Sequence, residues 1–410
     1  MIRRLSDDAR SEESGSRVGV PDGWIGRVAA DVAGRQARRI PHPATVGMRL
    51  DEVDTPALIV DLDPFERNLD TLMDAVRPYG VRVRTHAKTH KSPDIARLQI
   101  AHGAIGVCCQ KVGEAEVLVE GGISDVLVTN EIVGLPKARR LAALALRATI
   151  GVCVDDSLQV EQIGEACTSV GSKVNVYVEL DVGQGRCGAG SPAEVVALAR
   201  QVAGHPSLRF AGLQAYHGRA QHLREPIERQ RAVAHAQMIV SAAVDALRKA
   251  GIETPMVTGA GTGTCRIESA AAICNEIQPG SYIFMDADYS RNKRDPGDPV
   301  FEQSLYVLAT VISTSGGRLI LDAGLKAFAV DCGLPLAPDA PGWQFARASD
   351  EHGVLVPASS APSLPVAVGQ KMRLIAGHCD PTVNLHDWFV CVRGGVVETL
   401  WPIAARGAIF

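Results

Sequence analysis

The sequence predicts an α/β protein, a (β/α)8 barrel followed by a C-terminal all-β domain. Short runs rich in β-branched residues alternate with segments of helical periodicity between residues 54 and 290, as in parallel βαβ units. Eight such runs occur before residue 290. A doubly wound open sheet has the same local pattern, but the count favours the barrel. After about residue 300 the pattern changes to alternating strands without convincing helices.

The candidate strands of the barrel are ALIVDLD (57–63), VRVRTHA (81–87), GAIGVCC (103–109), DVLVTN (125–130), TIGVCVDD (149–156), VNVYVELD (174–181), LRFAGLQAYHG (208–218) and TPMVTGAG (254–261). Helical segments such as PFERNLDTLMDAVRPYG have Pro near the start and Gly near the end, as helix termini prefer. We therefore divide the chain into an N-terminal extension (1–53), whose first 17 or so residues we expect to be disordered, a barrel (54–290) and a β domain (291–410).

Composition excludes several classes of protein. Of the 410 residues, 46% are hydrophobic and 21% are charged, which is typical of globular chains. The net charge of -4 argues against nucleic acid or an anionic membrane as a partner. No charge-free apolar stretch reaches the roughly 18 residues of a membrane span, and the N-terminus resembles neither a signal nor a transit peptide. We expect a cytoplasmic protein whose ten cysteines are mostly reduced and buried.

Residues with reactive side chains follow the predicted strands, where a barrel builds its active site. In RTHAKTHK (84–91), Lys88 lies at the end of the second candidate strand, and a lysine at such a rim is suited to forming a Schiff base. The glycine-rich loop GAGTGT (259–264) follows the last candidate strand, and its backbone N–H groups can bind a phosphate. Together these two features suggest pyridoxal 5′-phosphate (PLP) as a cofactor.

A second group of polar residues lies in GHCDPTVNLHDW (377–388). On an extended segment, His378 and Asp380 would face the same side and Cys379 the other. An imidazole with a carboxylate favours Mn²⁺, Mg²⁺ or Co²⁺ over a dedicated zinc site. In DVGQGRCG (181–188), glycines flank Arg186, which is suited either to contact a cofactor nitrogen or to hold a carboxylate. A surface arginine beside turn-forming glycines is the alternative.

Many of these motifs occur together in one known family. The runs TPALIVDLDPFERN, HAKTHK, VELDVGQGRCG, GLQAYHG, GSYIFMDADY and GHCDPTVNLHDW resemble the family of D-threonine aldolase, 3-hydroxy-D-aspartate aldolase and D-serine dehydratase. The resemblance extends from about residue 54 to the C-terminus. It implies a fold-type III enzyme with an alanine-racemase-like PLP-binding barrel and a C-terminal β domain, and it leads us to expect a homodimer.

The resemblance also implies roles for particular residues. Lys88 would bind PLP covalently, Arg186 would contact the pyridine nitrogen, and Tyr216 would line the cofactor. Gly261, Thr262 and Gly263 would hold the phosphate, and the expected cofactor-binding set further contains Gln110, Asn130 and Tyr282. The chain departs from the family at Ala260, where a third glycine is usual; a positive φ there would be unfavourable for alanine.

The family resemblance leads to a hypothesis of retro-aldol cleavage of a D-β-hydroxy-α-amino acid to glycine and an aldehyde. The metal at His378 and Asp380 would hold the β-hydroxyl, and either a water on that metal or His222 would remove its proton. Cleavage of 3-hydroxy-D-aspartate to glycine and glyoxylate is a close alternative. Dehydration of D-serine or D-threo-3-hydroxyaspartate is another, although the H-x-D pattern resembles the aldolases and not the H-x-C of D-serine dehydratases. A non-catalytic PLP carrier is the remaining alternative.

Overall fold

The computed structural model describes residues 41–358 and 365–410. The first strand is β1 (Ala57–Asp61), whose first four residues are buried, and it leads directly into helix α1 (Leu62–Val76). The Asp61 side chain accepts a hydrogen bond from the Asp63 N–H and caps this helix. Buried Phe65, Leu69 and Leu72 recur at helical spacing, so that one face of α1 packs into the core.

The next strands form one parallel sheet. They are β2 (Arg82–Val83), β3 (Thr85–His86), β4 (Val107–Cys109), β5 (Asp125–Glu131), β6 (Thr149–Val154), β7 (Val174–Glu179), β8 (Leu208–Ala215), β9 (Val257–Gly259) and β10 (Glu276–Ile277). The helices between them are α2 (Pro93–Ala101), α3 (Val112–Glu120), α4 (Leu135–Leu144), α5 (Ser157–Val170), α6 (Pro192–Ala203), α7 (Pro226–Lys249) and α8 (Cys265–Ala270).

This sheet closes into a barrel. Its order is β2-β10-β9-β8-β7-β6-β5-β4-β3, and the two segments at its ends, β2 and β3, are separated only by Arg84. They are two halves of one strand, which pairs with β10 on one side and β4 on the other. The predicted eight-stranded barrel is therefore confirmed.

Arg84 forms a buried ion-pair network where the barrel closes. Its Nε lies 3.0 Å from Glu276 Oε1 and its Nη1 lies 2.7 Å from Asp125 Oδ1. The Arg84 side chain is only 5% exposed and that of Glu276 is fully buried. Thr258 donates a further hydrogen bond to Glu276. The network thus connects the first, third and last strands of the barrel.

The C-terminal strands form a second sheet. They are β11 (Leu305–Ser313), β12 (Leu319–Leu321), β13 (Trp343–Ala348), β14 (Gly353–Pro357), β15 (Lys371–Leu374), β16 (Trp388–Arg393) and β17 (Val396–Pro402), with one short helix, α9 (Cys379–Val383). The order is β13-β14-β12-β11-β1-β16-β17, and β15 also pairs with β11. Helix α9 packs against the 3-10 turn Ala87–Thr89, which brings this part of the chain to the barrel rim.

Two strand predictions differ from the structure. The run 57–63 is not the first barrel strand, because β1 pairs antiparallel with β11 and parallel with β16 in the second sheet. Its apolar sequence suits burial in either sheet, and only the distant partners decide between them. The last barrel strand, β10, went unpredicted because two residues are too short to show periodicity. The proposed division at 54 and 291 consequently does not separate the two sheets.

The N-terminal segment and the possibility of a membrane span were also considered in the sequence. The segment predicted to be disordered, the first 17 or so residues, lies outside the described part of the chain. Ala44 and Val53 are buried, so ordered packing begins before residue 54. Within residues 41–358 and 365–410, the longest apolar helices fall short of what a bilayer crossing requires. The cytoplasmic location stays a prediction.

Candidate active site

A cavity of about 470 Å³ opens at the carboxyl ends of the barrel strands. Its volume lies in the range of small-molecule sites. The residues that line it are His86, Lys88, Gln110, Thr129, Gln184, Arg186, Gln214, Tyr216, Gly218, Arg219, His222 and Gln278. Five of the predicted site residues, Lys88, Gln110, Arg186, Tyr216 and His222, are thus brought together from the segments that follow four different strands.

Lys88 lies in the 3-10 turn that directly follows β3. The His86 imidazole caps this turn by accepting a hydrogen bond from the Lys88 N–H. The Lys88 Nζ forms an ion pair with Asp380 Oδ2. Burial lowers the pKa of Lys88, but Asp380 outweighs burial and the pKa lies above its usual value. The same pairing holds the pKa of Asp380 below its usual range in spite of burial. The barrel and the second sheet therefore meet at this ion pair.

His86 is held in the floor of the cavity by neutral polar groups. Its Nε2 lies 3.1 Å from Thr129 Oγ1 and 2.9 Å from the Gln110 amide. Thr129 donates to the Cys109 carbonyl and its Oγ1 accepts from Gln110 Nε2, which leaves one lone pair of that oxygen to face His86 Nε2. Burial, and then the nearby Lys88 charge, hold the pKa of His86 well below its usual value. His86 is consequently a neutral neighbour of Lys88.

His222 and Asp288 form a hydrogen-bonded pair at the cavity wall. His222 Nδ1 lies 2.6 Å from Asp288 Oδ2, and the other carboxylate oxygen is bound by Arg224. Burial raises the pKa of Asp288, but Arg224 and His222 outweigh it and the net pKa is lowered. An anionic Asp288 places the histidine proton on Nδ1 and leaves Nε2 available to the cavity. The 3-10 helix Gly218–His222 after β8 sets this position.

Arg186 lies beside the buried carboxyl group of Glu179. Its Nη2 is 3.6 Å from Glu179 Oε1, and its guanidinium carbon is 6.0 Å from the centre of the Tyr216 ring. Burial and then the charge of Glu131 raise the pKa of Glu179 to about 8. Glu179 is therefore mostly protonated near neutral pH, and its carboxyl group is hydrogen-bonded to that of Glu131.

The glycine-rich loop (259–264) packs tightly against Gln221, in the same 3-10 helix as His222. A Cβ on Gly261 would come within 2.7 Å of Gln221 Oε1, and one on Gly263 within 2.5 Å of Gln221 O. Glycine is therefore required at position 263, where the clash is with backbone, whereas a side chain at position 261 would force the Gln221 side chain to move. Ala260 adopts φ +58°, so the left-handed conformation is retained in spite of its Cβ, at a cost of about 1 kcal/mol. Gly261, Thr262 and Gly263 are not among the described residues that line the main cavity. Thr262 and Gly263 line a second cavity of about 300 Å³ instead.

Tyr282 and Asn130 are not among the described residues that line the main cavity. The Tyr282 ring is buried in the core, its hydroxyl lies 3.2 Å from Gln99 Nε2, and its N–H donates to Thr262 Oγ1. Tyr282 therefore contacts the glycine-rich loop through its backbone. The Asn130 amide donates to the Gln110 carbonyl and supports a residue that does line the cavity.

The predicted metal ligands are placed differently from the expected extended segment. His378 has extended backbone angles and precedes α9, whereas Asp380 lies in the first turn of this helix. Asp380 faces Lys88, and His378 Nδ1 lies 2.8 Å from Asp331 Oδ2. The extended geometry was wrong because the sequence Cys-Asp-Pro starts a helix, where an acidic residue and Pro are favoured.

Several site residues were not predicted from the sequence. Gln214 and Gln278 exchange amide hydrogen bonds of 3.1 and 2.9 Å at the cavity, and Gln184 accepts from the Gly218 N–H. A glutamine carries no strong chemical signal in a single sequence. Asp288 lies in a segment rich in polar residues, where nothing distinguishes it until the fold brings His222 to it.

Comparison with known families agrees with both halves of the structure. The family model of the alanine racemase N-terminal domain matches residues 60–288. A model of a serine dehydratase domain matches residues 304–392. Together these matches cover the barrel and most of the second sheet.

Individual relatives match along nearly their whole length. A D-threonine aldolase of Arthrobacter sp. is 46% identical over 90% of this chain and 97% of its own. A 3-hydroxy-D-aspartate aldolase of Paracoccus denitrificans is 45% identical over 89% of this chain and 95% of its own. The crystal structure of a D-threonine aldolase from Filomicrobium marinum superposes with a TM-score of 0.87 at 48% identity, covering 90% of this chain and all of that one. The chain therefore belongs to the alanine-racemase-like fold-type III family and carries its D-serine-dehydratase-like C-terminal domain.

Proposed function

We propose that this chain is an aldolase that cleaves D-β-hydroxy-α-amino acids, of which D-threonine is the reference substrate, to glycine and an aldehyde. The observation that carries the proposal is a single cavity at which Lys88, the His222–Asp288 pair and, through Asp380, the H-x-D motif meet. The 45–46% identity to aldolases named for two such substrates supports the same reaction class.

The residues at the cavity fit PLP, the cofactor that the family implies. Lys88 offers a primary amine for the cofactor aldehyde, and the Arg186 guanidinium and Tyr216 ring lie together on the cavity wall. The glycine-rich loop (259–264) follows β9 at the same rim, as a phosphate-binding loop does in such barrels. When bound, PLP supplies an electron sink for the electrons released by cleavage of the Cα–Cβ bond.

A divalent metal also fits the donors near Lys88. His378 and Asp380 offer an imidazole nitrogen and a carboxylate, and a metal held by them would act as a Lewis acid toward the substrate hydroxyl. We propose Mn²⁺, Mg²⁺ or Co²⁺ in this role.

His222 is suited to accept the proton of the β-hydroxyl. Because Asp288 holds the proton on Nδ1, Nε2 carries the lone pair and is the atom that takes the proton. Arg224 also binds Asp288, which keeps this carboxylate anionic and fixed. Asp288 is therefore a positioning residue for His222.

3-Hydroxy-D-aspartate is the second candidate substrate. Arg219 lines the mouth of the cavity and is exposed, and a guanidinium there is suited to a carboxylate at Cβ. The aldehyde released would then be glyoxylate.

Product analysis tests the proposed function. Purified protein with PLP and Mn²⁺ is incubated separately with D-threonine, L-threonine and 3-hydroxy-D-aspartate. We expect glycine plus acetaldehyde from D-threonine, nothing from L-threonine, and inhibition by EDTA. The ratio of kcat/KM for the two D-substrates decides between them. Formation of 2-oxobutanoate and ammonia from D-threonine would instead identify a dehydratase, and no turnover of any substrate would favour a carrier of PLP.

Replacing Asp288 tests the role of its pair with His222. We expect Asp288→Asn to lower kcat by about 100-fold or more, because the neutral amide no longer enforces the tautomer that general-base catalysis requires. KM should change little, since Asp288 does not line the cavity among the described residues.

The matched control is Arg291→Gln, which removes a 3.4 Å ion pair to the same carboxylate without touching His222. Steady-state kinetics of both variants, with thermal unfolding to verify folding, are the measurement. An equal loss of kcat in the two variants would contradict the assigned role of Asp288.

We also propose a homodimer, on the resemblance to fold-type III enzymes. Sedimentation equilibrium of the PLP-loaded chain tests this, and a mass equal to the 43.4 kDa of one chain would contradict it.

A further inference from the structure

Three potential metal ligands, Asp331, Cys332 and His378, lie together around the His378 Nδ1 atom. His378 Nδ1 is 2.8 Å from Asp331 Oδ2 and 3.7 Å from Cys332 Sγ, and that sulfur is 3.6 Å from Asp331 Oδ2. Among the described residues, Asp331, Cys332 and His378 form one of two such groups whose ligand atoms all lie within 4.8 Å of one another. Asp380 belongs to neither group.

We propose that Asp331, Cys332 and His378 form a binding site for a thiophilic divalent cation, Zn²⁺ in particular, separate from the His378–Asp380 pair. Tetrahedral zinc with bonds of about 2.3 Å to sulfur and about 2.0 Å to nitrogen or oxygen needs ligand separations near 3.5 Å for S···N and S···O. The two separations that involve Cys332 already have these lengths. Only the Asp331–His378 separation must open, by about half an ångström.

The backbone holds these ligands together from two distant segments. Gly377, which precedes His378, lies so close to Gly333 that a Cβ on it would be 2.1 Å from the Gly333 oxygen. Arg291 Nη1 donates to the Cys332 carbonyl at 3.0 Å. Contacts of the backbone therefore hold segments 331–333 and 377–378 close together.

The site is open to a cation from solution. The side chain of Asp331 is 52% exposed and that of His378 is 26% exposed. Of the ten cysteines, all of which the structure describes, Cys332 and Cys187 are the two that are partly exposed. Zn²⁺ would bind the Cys332 thiolate, with the thiol proton released to solvent, and water would occupy the fourth position.

The donor set distinguishes this site from the proposed catalytic one. A thiolate with imidazole and carboxylate selects Zn²⁺ over Mn²⁺ and Mg²⁺, which prefer oxygen ligands. Both sites need His378. If His378 serves the activating metal, which rests on the proposed function, Zn²⁺ bound at Asp331 and Cys332 competes for that residue and inhibits the enzyme.

Zn²⁺ binding to the full-length, PLP-loaded chain tests the site without substrate. The chain is first treated with EDTA and dialysed, and Zn²⁺ is then titrated against a chromophoric chelator. Co²⁺ serves as a spectroscopic probe, since bonding to a thiolate produces a sulfur-to-cobalt charge-transfer band. We expect one Zn²⁺ per chain, bound at least tenfold more tightly than Mn²⁺, together with this band.

Single substitutions identify the ligands. Cys332→Ser should weaken Zn²⁺ binding by tenfold or more and abolish the charge-transfer band, while Mn²⁺ affinity stays unchanged. Cys187→Ser is the matched control, because Cys187 is the other partly exposed thiol and belongs to the second group, with Glu131 and Asp155. Persistence of the band in Cys332→Ser, or its loss in Cys187→Ser, would overturn the proposal. Unchanged Zn²⁺ affinity in Cys332→Ser would show that Asp331 merely orients His378.

A measurement on the unmodified chain covers the case in which Cys332→Ser does not fold. Alkylation of Cys332, followed by peptide mass spectrometry, should be slowed at least tenfold by Zn²⁺ and not by Mg²⁺, with Cys187 as the internal reference. Equal rates with and without Zn²⁺ would refute the site. Neither measurement depends on turnover, so a failure of the aldolase assignment leaves them unaffected.

Discussion

Lys88→Ala is expected to abolish covalent attachment of PLP and to lower the rate of D-threonine cleavage by at least about 1,000-fold, as loss of a catalytic nucleophile does in other enzymes. Lys88 is the lysine whose amine reaches the cavity from the turn after β3. The measurement is the visible absorption of the PLP-loaded protein, with borohydride reduction and peptide mass spectrometry to locate the attachment.

Two further variants test whether the primary amine of Lys88, and not merely its positive charge, is needed. Lys88→Arg keeps a cation beside Asp380 and should preserve folding while losing covalent PLP. Lys137→Ala removes an exposed lysine on α4 and should retain both absorption and activity. Recovery of PLP covalently bound to Lys88→Ala, at any other lysine, would refute the assignment of Lys88.

Arg84→Ala is expected to destabilise the chain by about 3–5 kcal/mol, because it leaves the buried carboxylate of Glu276 without its cation. Arg84 lies where β2 and β10 close the barrel, so its loss should affect the whole barrel. Urea unfolding followed by circular dichroism measures the change as a shift of the midpoint at constant slope.

Controls for this prediction come from the same chain. Arg77→Ala removes an arginine whose side chain is 75% exposed and paired with Asp74, and should cost less than about 1 kcal/mol. Combining Arg84→Met with Glu276→Gln should recover part of the stability, because the unpaired buried charge is removed as well. A loss below about 1 kcal/mol in Arg84→Ala would show that the network contributes little.

Local patterns predicted most of the barrel and much of its site. Strands such as Val174–Glu179 and the helices after them have periodicities that reflect burial on one face, and burial is encoded residue by residue. Lys88, Gln110, Arg186, Tyr216 and His222 line one cavity because carboxyl ends of parallel strands meet at one rim whatever the loop lengths.

These local patterns could not predict to which sheet β1 belongs. Ala57–Asp61 pairs with strands about 250 and 330 residues later, and a buried apolar strand has the same sequence in either sheet. The same limit applies to β10, whose two residues are identified as a strand only by their partners β2 and β9.

The sequence by itself determined the fold class, the reactive lysine and the H-x-D motif, because each depends on residue type and short spacing. Only the tertiary structure decided the partners: Asp288 for His222, Glu179 for Arg186, Asp380 for Lys88, and Asp331 with Cys332 for His378. These pairs join residues 7 to 292 positions apart. The chemistry of a side chain is local, whereas its protonation state and orientation are set by neighbours that the folded chain supplies.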